Sequence, residues 1–155
     1  MKRSIWMALA LAGTAFGPAG CGEQGAPAET GPEAPEGIAV SNGRLMLPAV
    51  AGNPAAAYFD LANSGDRDRV IRAASVQGAG SSMMHITTET GMQETLQVMS
   101  KAGETVKFEP GGLHVMASDL ADTVVAGGQA EVTVTFVGGD KVSFPAEVRA
   151  AGDER

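Results

Sequence analysis

Residues 131–149 read EVTVTFVGGDKVSFPAEVR. Val132, Val134 and Phe136 fall on one face of a strand, and Glu131, Thr133 and Thr135 on the other, because strand side chains alternate with period two. Gly138-Gly139-Asp140 then turns the chain. Val142, Phe144, Ala146 and Val148 repeat the alternation against Lys141, Ser143, Glu147 and Arg149. Two such runs predict a hairpin with one face on a core and the other in water. Pro145 has no N–H for a ladder, so the second strand is expected to lie at an edge or to bulge there.

The same period runs upstream. Ala57, Phe59 and Leu61 alternate with Tyr58, Asp60 and Ala62 ahead of an Asn63-Ser64-Gly65-Asp66 turn. Val70-Ile71-Arg72-Ala73 reads as the next strand, and Gly78-Ala79-Gly80 breaks the chain before a strand around Met83–Thr87. Val106 and Phe108 alternate with Lys107 and Glu109, and Glu109-Pro110-Gly111-Gly112 is a strong turn signal. Helical periodicity is weak throughout; Ser118-Asp119-Leu120-Ala121-Asp122 is the one stretch read as a single helical turn. Short strands at regular spacing predict an all-β domain, a sandwich or small barrel.

With 155 residues the chain has room for one domain. Its first stretch is not part of it. Lys2 and Arg3 precede an apolar run from Ile5 to Phe16, and small residues lead to Ala19-Gly20-Cys21. Residues 1–20 therefore read as a secretory signal peptide, too short for a spanning helix. Cys21 is the only cysteine, placed as in a bacterial lipoprotein processing site, with Pro18 where an aliphatic residue is usual. We expect a lipidated Cys21 after cleavage; the plainer alternative is an incidental cysteine beside an ordinary cleavage point. Export puts the domain in the periplasm or another extracytoplasmic space, with a membrane reached only through that lipid anchor.

Residues 22–37, GEQGAPAETGPEAPEG, hold no aromatic or aliphatic anchor. They bury too little apolar surface to offset ordering entropy and read as a flexible tether. The folded domain is then residues 38–150, without a cysteine and so without a disulfide. Losing residues 1–20 takes Lys+Arg from 11 to 9 against 18 acidic residues, and the net charge from −7 to −9. An acidic chain argues against nucleic acid as a partner.

Both histidines stand among methionines. Met83, Met84, His85, Met92, Met99, His114 and Met116 share one central segment, while the other methionines are Met1, Met7 and Met46. In a strand over 113–116, His114 and Met116 project from one face. Imidazole with thioether suits soft copper(I) and not calcium or magnesium, which take oxygen ligands. Such a pair holds copper(I) without an oxidisable thiol, and neutral thioethers favour release over the tight grip of thiolates. Only neutral imidazole ligates, so copper binding is expected to weaken as the pH falls.

The chain resembles the periplasmic copper chaperones of the PCu(A)C family. The signature is a His, often beside a Met, then a Met, then 21 residues, then His-x-Met; here Met92 and His114-Val115-Met116 have that 21-residue spacing. Glu109-Pro110-Gly111-Gly112-Leu113-His114-Val115-Met116 is similar to the family's Lys-Pro-Gly-Gly-Tyr-His-x-Met. Ala55-Ala56-Ala57-Tyr58-Phe59, the Asn63-Ser64 turn and the two C-terminal strands extend the likeness over most of residues 38–149. The resemblance implies a cupredoxin-like β-sandwich or Greek-key barrel. It also implies a copper(I) site of His85, Met92, His114 and Met116, with Met84 as an auxiliary ligand. The function implied is copper delivery to the binuclear centre of cytochrome c oxidase, through an oxidase subunit or an assembly factor. Only six residues separate His85 from Met92, fewer than is common in the family, so Met83 or Met84 could stand in for His85. Adjacent strand residues face opposite ways, so these three cannot all reach one ion. Met99 reads as core.

Other classes fit less well. A blue-copper electron carrier needs a cysteine thiolate within the fold. No nucleophile elbow, His-Glu-x-x-His zinc motif or phosphate-binding glycine loop is present, so the chain does not read as an enzyme. The remaining alternative is a metal-free envelope β-sandwich that binds protein through a sheet edge.

Overall fold

The computed structural model, which describes residues 34–153, contains ten strands, three more than the runs read from the sequence. They are β1 (Ile38–Met46), β2 (Ala55–Asn63), β3 (Arg69–Val76), β4 (Ala79–Thr88), β5 (Gly91–Glu94), β6 (Val98–Ser100), β7 (Thr105–Phe108), β8 (Leu113–Leu120), β9 (Gln129–Phe136) and β10 (Lys141–Arg149). The described residues contain no helix. The signal peptide, Cys21 and the tether up to residue 33 lie outside them.

The C-terminal hairpin has the register that its pattern predicts, with Val142 opposite Val134 and Phe144 opposite Val132. Pro145 sits opposite Glu131, whose carbonyl accepts from Gln77 N–H at 2.8 Å on the β3 side. The missing proline N–H therefore faces away from β9. On that flank the parallel ladder to β1 covers only Glu147–Arg149, so no bond is lost.

Strands pair in the order β5-β4-β8-β7-β2-β1-β10-β9-β3-β6, with β8 also bonded to β2. A twisted ribbon of this width curls over on itself, bringing β3 against β4 and β8. Leu45, Phe59, Leu61, Phe108 and Val115 point inward from one side, and Ile71, Val132, Val134, Phe136 and Val148 from the other. Phe59 stacks on Phe108 at 4.2 Å between centroids and meets Phe144 at 4.9 Å, joining the two sides. The all-β expectation holds.

β2 changes partners along its length. Ala55–Ala57 pair with β8, and Phe59–Ala62 with β7. Asn63 ends the strand from a buried position: its Nδ2 donates to the carbonyls of Arg67 (2.9 Å) and Ser100 (3.0 Å), and its Oδ1 accepts from Gly65 N–H. The turn read at Asn63-Ser64 is thus tied to β6 across the fold.

Three expectations fail. β10 is neither an edge strand nor bulged at Pro145, since it lies between β1 and β9 and keeps an unbroken register with β9. Residues 118–120 are not helical; they continue β8, where Ser118 pairs with Ser81 and Leu120 with Ala79. The ladder to β4 supplies backbone partners that a lone helical turn leaves open. Met99 is not core: it is 53% exposed on β6, while Val98 and Ser100 turn inward.

Candidate metal centre

Glu109-Pro110-Gly111-Gly112 closes with Gly112 N–H donating to the Glu109 carbonyl at 3.0 Å. Gly111 has φ +79°, the left-handed conformation of the third position of a type II turn, with proline ahead of it. The turn delivers the chain into β8, with Val115 and Ala117 facing the core. His114 and Met116 take the opposite face, as period two requires.

The Gly112 carbonyl lies 3.0 Å from His114 Nδ1 and also accepts from Thr87 N–H at 3.1 Å. A carbonyl only accepts, so the neutral imidazole carries its proton on Nδ1 and keeps its Nε2 lone pair free. That nitrogen faces Met92 Sδ at 3.1 Å. With metal–nitrogen and metal–sulfur bonds of about 2.0 and 2.3 Å, two ligands of one ion stand roughly 3.0–3.6 Å apart. The pair therefore has the spacing of two donors to a shared ion, and its backbone bond holds the ring in the ligating tautomer.

Strand register brings in the rest. His85 is directly opposite His114, and Met83 directly opposite Met116, on the β4–β8 ladder. Met92 on β5 is opposite Thr87, so it shares the face of Thr87, His85 and Met83. The His85 and His114 rings lie 5.9 Å apart at 21°. His85, Met92, His114 and Met116 thus occupy one sheet face across β4, β5 and β8. Met84 does not join them. It is 4% exposed, opposite Val115, and packs in the core, because its odd-even position turns it inward. The expected auxiliary role for Met84 is corrected accordingly.

Residues not singled out in the sequence also border the cluster. The Tyr58 ring lies 6.4 Å from that of His114, and the Arg44 guanidinium sits 5.0 Å over Tyr58. Beyond Tyr58 an open cleft is lined by Arg44, Met46, Pro110, Glu147 and Arg149. Alternation marked Tyr58 as facing away from Phe59, but its approach to His114 depends on how β2 and β8 pair. Glu94 was missed for the same reason; it lies opposite His85 on the edge strand β5.

Among the described residues no three His, Cys, Asp or Glu side chains converge as a metal site would need. The cluster is defined by two imidazoles and thioethers, a donor set for a soft monovalent ion. His114 is 5% exposed and Met92 53%, so the centre is anchored at depth and open at its rim.

Residues 38–148 match the family model described as "Putative lipoprotein LpqE-like". A protein of Leifsonia xyli subsp. xyli named "Putative lipoprotein Lxx21020" is 29% identical over 119 residues, which cover 74% of this chain and 70% of that protein. The copper-bound PCuAC domain from PmoF2 shares the fold, with TM-score 0.63 and 24% identity over 74% of this chain and 93% of that domain. The copper(I) form of DR1885 from Deinococcus radiodurans aligns with TM-score 0.56 and 25% identity, covering 86% of this chain and 89% of that one. The chain belongs to the LpqE-like family, and its fold is that of the PCuAC domains.

Proposed function

We propose that this chain is an extracytoplasmic copper(I) chaperone. It binds one copper(I) through His85, Met92, His114 and Met116 and hands it to a copper-requiring protein. The observation that carries the reading is the His114 Nε2 to Met92 Sδ approach of 3.1 Å, with the imidazole proton held on the far nitrogen by Gly112. Copper in the related PmoF2 and DR1885 structures supports it. No bond in a substrate is made or broken, so the protein acts by binding and release and not as an enzyme. Neutral donors allow that release, because thioether and imidazole hold copper(I) less firmly than thiolate. The recipient we favour is the binuclear copper centre of cytochrome c oxidase, loaded directly or through an assembly factor. A lipidated Cys21, with residues 22–37 as tether, would keep the 38–150 domain at a membrane surface; the lipoprotein family supports this.

The test is an anaerobic copper(I) titration of residues 22–155 against a chromophoric copper(I) chelator, beside the His114→Ala/Met116→Ala double variant. One copper per chain, lost in the variant, is expected. No competition with the chelator at any ratio would leave a metal-free β-sandwich whose methionines are packing and surface residues.

A further inference from the structure

We infer that Met83 is a fifth soft donor of this centre, the thioether over which copper(I) enters and leaves. The inference rests on the copper(I) reading above. Met83 is two residues from His85 on β4 and shares its face. It lies directly opposite Met116, so the two side chains start about 5 Å apart and are cross-strand neighbours. Methionine is unbranched and flexible, and either sulfur can swing over the position between them.

Exposure gives the centre a direction. His114 is 5% exposed, while Met83 and Met92 are 43% and 53% exposed. On the β2 side, Tyr58 flanks His114, and Arg44 lies over Tyr58 in turn. On the other side, β5 is the outermost strand, and all four of its residues are exposed. An incoming ligand thus has its open approach over β4 and β5, where the exposed thioethers stand. Exchange there is a substitution at copper(I). The Met83 sulfur lone pair forms a bond to the ion as Met116 releases it. The metal stays monovalent, and no proton or electron moves. The thioether at the rim then presents the ion to the recipient's own donor.

The direct test is nuclear magnetic resonance of residues 22–155, which retain every strand, labelled with 13C at the methionine methyl groups. The six signals, from Met46, Met83, Met84, Met92, Met99 and Met116, are assigned with single Met→Leu variants. Silver(I), a redox-stable stand-in for copper(I), is added to one equivalent. Met83, Met92 and Met116 are expected to shift together while Met46, Met84 and Met99 stay. If Met92 and Met116 shift and Met83 does not, this inference fails and the copper(I) reading stands. If none of the three shifts, both fail. Copper(I) extraction by a chelator supplies the kinetic readout. Met83→Leu should slow it severalfold, and an unaltered rate overturns the exit role.

Discussion

His114 is held by the backbone of its own turn, since one oxygen, that of Gly112, sets its tautomer and also bonds the neighbouring strand. Its partner Met92 is set differently, exposed on a short edge strand. Metal affinity and folding stability should therefore separate at these positions. Met92→Leu is expected to weaken copper(I) binding by at least the about 10–100-fold seen when a ligand loses only its outer support. It should shift unfolding free energy by no more than about 0.5 kcal/mol, as surface changes do. Chelator competition and urea unfolding on one preparation measure both. Met84→Ala should do the reverse. That side chain is 4% exposed among core residues, and its truncation should cost about 2–5 kcal/mol in urea unfolding. Copper affinity of the folded fraction should be retained. Two methionines of one segment would thus answer opposite assays, which follows from their opposite faces.

At the scale of elements, the 109–112 turn and the β4–β8 ladder assemble the centre. Gly111 at φ +79° has open space where a Cβ would stand, so its constraint is conformational and not spatial. Gly111→Ala should cost about 1 kcal/mol or somewhat more, because alanine resists positive φ. Gly138, at φ +105° in the β9–β10 turn, is a matched control with an equally open surround. Both variants should lose comparable stability in thermal or urea unfolding. Only Gly111→Ala should also weaken copper(I) binding, since only that turn aims His114. Equal effects on copper affinity from both would mean that the turn does not position the imidazole.

Across the whole molecule, the two sides of the ribbon meet through Phe59, Phe108 and Phe144, away from the face of the proposed ligands. The ladder of β4, β5 and β8 carries the proposed ligands on the outside of a core that does not depend on them. The apo fold should therefore be stable by itself, with metal adding to it by mass action. Free copper(I) held at 100 times Kd should add about 2.7 kcal/mol to unfolding free energy. The check is anaerobic thermal unfolding with buffered copper(I), beside the His114→Ala/Met116→Ala variant, where the increment should vanish. A metal-dependent rise that persists in the variant would place the binding elsewhere.

Local alternation was enough to read β2, β9 and β10 with their inward faces, because burying one face of a strand demands period two whatever its neighbours, but it did not pick out β1, β5 or β6. It also put His114 and Met116 on one face, and the resemblance to the PCu(A)C family added Met92 to that pair as an expected third donor. The signal peptide and Cys21 were read from the order of charged, apolar and small residues, and the tether from composition. Pairing between strands distant in sequence decided the rest. Whether Met83 or Met84 faces the centre turned on the parity of β4 against β8. Met99 followed no hydrophobicity rule, because alternation in β6 gave Val98 and Ser100 the inner face and left Met99 the outer one. Tyr58, Arg44 and Glu94 entered the surroundings of the histidines only when β2, β1 and β5 took their places in the sheet. A sequence carries the period of each strand; register and sheet order come from closing all the strands around one core.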